Sequence, residues 1–241
     1  MEDWRERTEL QIGHEGVQKL DNACVAIIGL GGVGAFAAEM LCRAGVGSFI
    51  LADSDVIDVT NKNRQLPALD STIGRVKTDV IAERMRDINN NVRVKIIHAY
   101  LEQDNIADKL KLCEKVDFVI DAIDTLSPKI ALIQYCLQNK IPMVSSMGAG
   151  AKYDATKVRI AEIEKSFNCP LAYMLRKRLH KVGIRKGFKV VFSEEIPVKE
   201  AIVPCEGRNK KSRTGTISYM PAVFGCVCAQ AAVEHILSVG V

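Results

Sequence analysis

Short apolar runs alternate with amphipathic segments along the first 150 residues of this 241-residue chain. Runs rich in β-branched residues predict buried parallel strands at 25–28, 48–52, 92–97, 116–120 and 142–145. Apolar residues at helical spacing predict helices at 35–44, 77–89, 128–139 and 219–237. Alternating strands and helices are typical of an α/β domain with a doubly wound, mostly parallel sheet. We therefore expect a single domain over residues 1–241, with its nucleotide-binding half at about 20–150.

A glycine-rich turn joins the first predicted strand to the first predicted helix. Its sequence, GLGGVG, contains Gly29, Gly31, Gly32 and Gly34. In Rossmann-like folds such glycines permit a tight turn, let the backbone approach a phosphate, and let the helix pack close to the strand. The N-terminus of the helix then faces the anion. Asp53 follows the second strand, 19 residues after Gly34, where an acidic side chain accepts hydrogen bonds from a ribose.

Two basic residues beyond this turn favour a triphosphate over a dinucleotide. Both phosphates of a dinucleotide are held by the glycine turn, so distant cations have little to bind. Arg64 can bind phosphate oxygens through its planar guanidinium, and Lys77 offers an ammonium to the same anion. Either residue alone would more often be an ordinary exposed cation. The combination of Arg64 and Lys77 after Asp53 favours ATP as the ligand. A dehydrogenase is a weaker alternative, because no His/Asp pair is placed for hydride chemistry.

Several motifs resemble those of the E1-like (ThiF/MoeB/HesA) superfamily, whose members adenylate carboxylates. The motifs are Asp53-x-Asp55, Asn61-x-x-Arg64-Gln65, Lys77 and Asp121-Ala122-Ile123-Asp124. The resemblance implies that Asp53 binds ribose and that Asp124 binds Mg²⁺. It also implies a triphosphate-binding and catalytic group of Asn61, Arg64 and Lys77. The remaining members of the implied nucleotide-binding set are Gly29, Gly31, Gly32, Gly34, Asp55 and Gln65.

The chain most resembles the tRNA threonylcarbamoyladenosine dehydratase branch of this superfamily. This branch implies ATP-dependent dehydration, with ring closure, of N6-threonylcarbamoyladenosine in tRNA. The implied cofactors are ATP and Mg²⁺, and the sequence leaves open whether a monovalent cation also binds. Related enzymes often place an N-terminal arginine of the partner subunit against the γ-phosphate, so the resemblance implies a homodimer in which Arg7 has this role.

Two other functions stay open from the sequence. In one, the adenylated carboxylate is the C-terminus of a ubiquitin-like or sulfur-carrier protein, with a sulfur-transfer protein as partner and Cys205 as the thioester or persulfide carrier. Cys205 lies in a polar loop near Arg208 and Lys210, which favour a thiolate. In the other, the protein binds nucleotides and regulates a partner without catalysis, because intact motifs do not prove turnover.

The eight cysteines argue against a structural zinc site. They contain no C-x-x-C pair, the usual arrangement for tetrahedral zinc in the sulfur-carrier activators, so we expect no zinc. Cys226 and Cys228 lie in an apolar helical segment and point about 200° apart, which makes a shared ligand role awkward. The sequence predicts that both are small core residues.

Positive charge is concentrated in a segment at about 165–215. Residues 166–193 contain seven basic residues and no acid, and residues 205–213 contain four basic residues and Glu206. These stretches carry +7 and +3, against a net charge of +4 for the whole chain. One interpretation is a mobile, solvated insertion. The other is a surface that binds the phosphates of tRNA, by backbone and shape more than by base stacking, because few aromatic residues lie among the cations.

Features at the two ends of the chain predict a cytoplasmic protein. The N-terminus lacks a basic start followed by an apolar core, so no secretory signal is expected. The apolar segment at about 219–239 contains Glu234 and is interrupted by Pro221. We interpret it as a core or dimer-facing helix, because a membrane span would place a carboxylate in lipid.

Overall fold

The computed structural model describes residues 4–111, 115–204 and 212–238, which form a seven-stranded sheet with helices on both faces. The sheet strands are β1 (Cys24–Ile28), β2 (Ser48–Ala52), β3 (Arg93–Ile97), β4 (Phe118–Asp121), β5 (Met143–Ser146), β6 (Val158–Glu162) and β7 (Lys189–Ser193). Their order is β3-β2-β1-β4-β5-β7-β6, and only the β6–β7 pair is antiparallel. The fold is therefore Rossmann-like, doubly wound and mostly parallel, as the sequence predicted.

The helices pack in two layers on opposite faces of the sheet. They are α1 (Glu6–Asn22), α2 (Gly34–Ala44), α3 (Lys77–Ile88), α4 (Ile106–Lys111), α5 (Leu126–Gln138), α6 (Pro170–Lys181) and α7 (Tyr219–Ser238). One layer contains α1, α2, α3 and α7, and the other contains α4, α5 and α6. Side chains alternate along a buried strand. In β1, Val25 and Ile27 accordingly pack against the first layer, while Ala26 and Ile28 pack against the second.

The five strands predicted from apolar runs are confirmed, each within two residues of its predicted bounds. The predicted helices are confirmed as α2, α3, α5 and α7. Sequence signals also explain where helices stop. Gly45 follows α2 with a φ of +98°, a left-handed conformation in which glycine commonly ends a helix.

The basic stretch at 166–193 belongs to the main fold, which corrects its interpretation as an insertion. Its residues form α6 and then β7, which lies between β5 and β6 in the sheet. Helix α6 begins at Pro170, a favourable first position, and buries Ala172, Leu175 and Leu179 against the second layer. The long cationic side chains obscure this apolar helical pattern in the sequence. Residues 205–211 lie outside the described part of the chain.

Helix α7 is long and apolar enough to cross a membrane by length and composition alone, with a mean hydropathy of 1.4. In the fold it is a core helix, because Met220, Phe224 and Cys228 are buried within the first layer. Gly225 allows the close approach of α7 to α2, since a Cβ there would lie 2.4 Å from the Val33 carbonyl oxygen. This outcome agrees with the core interpretation of the segment.

A short two-stranded sheet lies at the carboxyl end of the main sheet. It pairs β8 (Ile202–Pro204) with β9 (Ser212–Thr214). The Ala151 amide, in the loop after β5, donates to the Gly215 carbonyl at 2.8 Å. The Asn63 side-chain amide donates to the Thr216 carbonyl at 3.0 Å. The two short strands are thus fixed to loops on the same edge as the predicted nucleotide site.

Candidate nucleotide-binding site

The residues predicted to bind ATP meet at the carboxyl ends of β1, β2 and β4. Ile28 is in register with Ala52 on one side and with Asp121 on the other. The loops that leave these three strands therefore start at the same level, and they carry Gly29, Asp53 and Asp124. This is the edge at which ligands bind in open α/β sheets.

The glycine turn is shaped by close contacts with its neighbours. Gly29 has a left-handed φ of +92°, and a Cβ on it would lie 2.8 Å from the Ala122 carbonyl oxygen. A Cβ on Gly34 would lie 1.8 Å from the Gly29 carbonyl oxygen, so a side chain there is incompatible with this turn. Gly31 is open by contrast, with the Gln65 amide nitrogen 3.7 Å from its Cβ position. Gly32 packs on Pro221 at the start of α7.

Asp53 links the glycine turn to the loop after β2. Its Oδ2 accepts a hydrogen bond from the Leu30 amide at 2.6 Å, and its Oδ1 accepts one from the Asp55 amide at 2.8 Å. The side chain stays partly exposed. Each carboxylate oxygen has a second lone pair. Asp53 can therefore accept hydrogen bonds from ribose hydroxyls while it holds the turn.

Lys77 lies at the first position of α3 with its ammonium buried beside Asp55. The Lys77 Nζ to Asp55 Oδ2 distance is 2.8 Å; the lysine side chain is 5% exposed and the aspartate side chain 64% exposed. Backbone contacts fix the pair, since the Lys77 amide donates to the Asp55 carbonyl at 3.1 Å and Val56 bridges to Val76. The ammonium is thus buried at this edge, whereas its partner carboxylate is mostly exposed.

The loop that carries Asn61, Arg64 and Gln65 begins with a reciprocal cap. The Asp58 carboxylate accepts from the Thr60 amide at 2.8 Å, and the Asn61 Oδ1 accepts from the Asp58 amide at 3.1 Å. One guanidinium nitrogen of Arg64, Nη1, donates to the Thr60 carbonyl and to the Asn63 side chain, at 3.0 and 2.7 Å. The guanidinium has further N–H donors for phosphate oxygens.

Gln65 closes this loop against the glycine turn and is buried. Its Oε1 has no hydrogen-bond partner among the described residues, and its Nε2 faces Gly31. A buried polar atom without a partner is uncommon and calls for an explanation. Its position beside the open glycine makes Gln65 a candidate contact for a nucleotide.

The loop after β4 separates two aspartates with different environments. Asp124 is exposed at the carboxyl edge. Asp121 is fully buried, and its Oδ2 accepts from Lys129 Nζ at 2.8 Å and from Ser145 Oγ at 2.6 Å. Its Oδ1 accepts from the Ile123 amide at 3.1 Å. Asp121 therefore shapes the loop that carries Asp124, a role that the sequence motif did not indicate.

Arg7 lies away from the other predicted site residues of its own chain. Two residues before it, Arg5 pairs with Asp21 at 3.2 Å and lies against Gly45. Asp21 and Gly45 precede β1 and β2, so this part of α1 lies at the amino edge of the sheet. Arg7 itself is exposed. Within one chain, the structure does not bring Arg7 to the nucleotide edge.

Sequence reasoning missed Lys152, a buried cation near the same edge. Its Nζ donates to the carbonyl oxygens of Ser193 and Glu195, both at 3.0 Å, and of Asn168 at 3.4 Å. Burial lowers the pKa of this ammonium below its usual value. A lysine directly after the glycine- and alanine-rich run 147–151 was the only sequence signal. Lys152 joins the loop after β5 to both ends of the α6–β7 unit.

The described cysteines are free thiols, and most are suited to packing. Burial raises the pKa of Cys42 to about 11 and that of Cys136 to about 12. Cys228 is buried as predicted, but Cys226 is exposed, because α7 turns that position away from the core. Cys205 lies outside the described residues. No group of three or more His, Cys, Asp or Glu side chains within the described ranges is arranged as a metal centre.

A glycine turn, a partly exposed aspartate after β2 and a buried ammonium on one edge of a doubly wound sheet are typical of a nucleotide-binding protein with a Rossmann-like fold. The chain belongs to the ThiF family, which matches residues 6–240. It is 41% identical over 229 residues to the tRNA threonylcarbamoyladenosine dehydratase of Bacillus subtilis, covering 92% of this chain and 89% of that protein. It is 36% identical over 256 residues to the Escherichia coli enzyme of the same name, covering 98% of this chain and 95% of that one.

Solved structures of the E. coli enzyme are similar over nearly the whole chain. The structure described as its complex with ATP has a TM-score of 0.88 at 36% identity, covering 98% of this chain and 95% of that one. The structure described as its complex with AMP has a TM-score of 0.87. The fold and the family expected from the sequence motifs are therefore confirmed.

Proposed function

We propose that this protein catalyses the ATP-dependent dehydration of N6-threonylcarbamoyladenosine in tRNA by adenylating its carboxylate. The observation that carries the proposal is the meeting of Gly29, Asp53 and Lys77 at one edge of a fold that matches an ATP-bound dehydratase over 98% of the chain. ATP is the expected cosubstrate, because that edge offers an open glycine turn followed by cations.

Different residues bind different parts of ATP. Asp53 binds the ribose, and the turn from Gly29 to Gly34 faces the phosphates with backbone amides and the N-terminus of α2. Arg64 and Lys77 offset the charge that develops on the departing pyrophosphate, and Asn61 orients the phosphates. Gln65 lies beside Gly31 with its buried Oε1 available to a donor on the nucleotide. Asp55 gives up the Lys77 ammonium when a phosphate replaces it.

The chemistry needs no side-chain nucleophile. A free carboxylate is a poor electrophile, because its leaving group would be oxide or hydroxide. Its oxygen attacks the α-phosphorus of ATP, the bond to pyrophosphate breaks, and an acyl-AMP forms. The carbamoyl group of the same modification then attacks the activated carbonyl, loses a proton, and expels AMP. The modified nucleoside loses one water in total, while ATP becomes AMP and pyrophosphate.

Asp124 is the residue that would hold Mg²⁺. Mg²⁺ in nucleotide sites is usually bound by one or two carboxylates together with the substrate phosphates. A single exposed carboxylate after β4 fits this pattern. When bound, the ion would neutralise charge on the phosphates.

Mass spectrometry of nucleosides tests the proposed reaction. Threonylcarbamoylated tRNA is incubated with ATP and Mg²⁺ and digested mildly, so that the cyclic product survives. We expect loss of one water with the wild type and none with Lys77→Met, which keeps the side-chain length and removes the charge. Arg64→Gln is a second variant at a less buried position, in case the first does not fold.

Isotope labelling tests the adenylation step separately. If the modification carries ¹⁸O in its carboxylate, one ¹⁸O should appear in AMP, because the attacking oxygen leaves with the phosphorus. Dehydrated nucleoside with unlabelled AMP would contradict adenylation. An unchanged nucleoside with folded, ATP-binding protein would overturn the proposed substrate and favour a protein C-terminus as the carboxylate. In that case a sulfur-transfer partner and Cys205 would become relevant again.

We also infer a homodimer in which Arg7 completes the site of the partner subunit. Arg7 lies at the amino edge of its own sheet and cannot reach its own glycine turn, but it is exposed for contact with a second copy. Mixing Arg7→Ala and Arg64→Gln subunits tests the inference, because one site in each mixed dimer would keep both arginines. Partial recovery of activity would support it, and no recovery in verified mixed dimers would contradict it.

We place the reaction in the cytoplasm, where free thiols persist.

A further inference from the structure

Helix α6 exposes a continuous face that has no assigned role in ATP chemistry. Pro170, Tyr173, Met174, Lys177, Arg178 and Lys181 are exposed and lie within one side of the helix, and we call this set the α6 face. The opposite side, with Ala172, Leu175 and Leu179, is buried. The α6 face is apolar and aromatic over the first turns and cationic over the last turns.

The cations of this region are not neutralised by the protein. Lys177, Arg178 and Lys181, and the cations at 185 and 186 that follow them, form no ion pair within the described residues, and residues 166–193 contain no acid. Lys189 is not part of this group, because it lies opposite Glu162 in the β6–β7 pair. Arg176 differs from them, because its guanidinium donates to Ser166 and holds the turn before α6. A group of cations without acidic partners is the electrostatic signature of a surface for an anionic polymer.

The aromatic end of α6 exposes large apolar and aromatic side chains. Tyr173 is 58% exposed and Met174 is 41% exposed. Phe167, three residues before the helix, is 46% exposed, yet its ring packs edge-on against buried Phe192 at 5.4 Å between centroids. Exposed aromatic side chains beside cations are the elements on which unpaired RNA bases stack. This adds a stacking element that the composition of the segment did not favour.

The aromatic end of α6 lies next to the nucleotide edge. Gly148, in the loop after β5, lies against Cys169, whose Sγ is 3.7 Å from its Cβ position. Lys152 ties the same loop to Asn168. Strand β5 is two strands from β1 in the sheet, a separation of about 10 Å. The cationic end extends away from this edge over the length of the helix, about 18 Å for its 12 residues.

We propose that the α6 face binds the single-stranded RNA loop that carries the modified adenosine. Bases that flank this adenosine stack on Tyr173 and Phe167, and the phosphates that follow bind Lys177, Arg178 and Lys181. The stacked bases hold the loop beside the sheet edge, so that the threonylcarbamoyl carboxylate reaches the α-phosphorus of ATP. This inference rests on the proposed function and names the surface that selects its substrate.

Binding of a labelled stem–loop RNA that carries N6-threonylcarbamoyladenosine in its loop, followed by fluorescence anisotropy at several KCl concentrations, tests the α6 face. The double variant Lys177→Gln/Lys181→Gln should flatten the slope of log Kd against log salt by roughly 1.4–1.8, since each lost phosphate contact removes about 0.7–0.9. Tyr173→Ala should raise Kd by about 5- to 150-fold with the slope unchanged, and Tyr173→Phe should retain wild-type binding. In turnover, these variants should raise KM for the RNA and keep kcat.

Arg86→Gln is the matched control, because Arg86 is exposed on α3 in the other helix layer. It removes one charge and should leave the slope and KM at wild-type values. Wild-type dehydration together with unchanged RNA binding by all the α6 variants would overturn this inference and leave the proposed function intact. Absence of dehydration by the wild type would count against the proposed function itself. Equal binding of poly-glutamate, without dependence on Tyr173, would also overturn the inference and indicate an acidic protein partner.

Discussion

Replacement of Lys129 by methionine should destabilise this protein far more than replacement of an exposed lysine. Lys129 and Asp121 are both 0% exposed, and their charged atoms are 2.8 Å apart. The variant fills most of the lysine volume but leaves the Asp121 carboxylate buried with only Ser145 and the Ile123 amide as donors. A buried charge that has lost its opposite partner is strongly unfavourable, because neither water nor a counterion can reach it.

The expected cost is about 3–5 kcal/mol, the range found when one partner of a buried ion pair is removed. For a chain of this length each kcal/mol lowers Tm by about 2–4 °C, so the variant should melt roughly 6–20 °C below the wild type. Urea unfolding followed by circular dichroism measures the free energy directly. The m-value should stay unchanged if both proteins unfold in one step from the same compact state.

A double variant separates charge from packing. In Lys129→Met/Asp121→Asn no charge is left in the core, and the asparagine amide still bonds to its neighbours. We expect it to recover at least half of the lost stability. Lys115→Met is the control, because Lys115 forms a similar pair with Asp117 at 2.9 Å but is 88% exposed. If Lys129→Met is as stable as this control, or the double variant is no better than the single one, the reasoning is wrong.

Three further predictions follow from individual contacts. Gly34→Ala should abolish ATP binding in calorimetry, since its Cβ would lie 1.8 Å from the Gly29 carbonyl oxygen; wild-type affinity would contradict the described turn. Cys136 should resist iodoacetamide at pH 8 in the native protein and react in urea, as seen by peptide mass spectrometry, because burial raises the pKa of its thiol to about 12. Burial opposes ionisation of Glu39, but hydrogen bonds from Arg84 and Arg43 outweigh it and lower its pKa. Because the pKa of Glu39 is lower in the folded state, ionised Glu39 stabilises the protein above the unfolded pKa of about 4.3, and this stabilisation is lost as pH falls through the folded pKa. Glu39→Gln should therefore cost about 1–2 kcal/mol of unfolding free energy at pH 7. Urea titrations should show a progressively smaller cost below about pH 4.

The meeting of the candidate nucleotide-binding residues at one edge was predictable because these residues follow strands. Parallel strands in neighbouring positions place their carboxyl ends at one edge, so residues such as Gly29 and Asp53 meet whatever their separation in the chain. The strands themselves were visible as short β-branched runs, which are diagnostic when both faces of a sheet are buried. For the part before residue 150, local pattern and global fold agree.

The region after residue 150 was harder to predict because charge obscured its periodicity. Leu175 and Leu179 have the spacing of a buried helical stripe, but cations surround them in the sequence. Long lysine and arginine side chains can cover apolar surface while their charged ends stay in water, so a strongly basic segment is compatible with a packed helix. Strand β7 was missed for the same reason, since Lys189 begins it and a basic loop precedes it.

The pairing of charged residues far apart in the chain could not be predicted from the sequence. The partner of Lys77 is Asp55, 22 positions away, and the partners of Lys152 are backbone carbonyls up to 43 positions away. Such contacts depend on which loops the sheet order brings together. A motif can therefore indicate a cation for the triphosphate, but it does not identify the residue that pairs with this cation before ATP binds. In the proposed reaction, the Asp55–Lys77 pair makes phosphate binding an exchange of one anion for another, so the buried ammonium has an anionic partner before ATP binds.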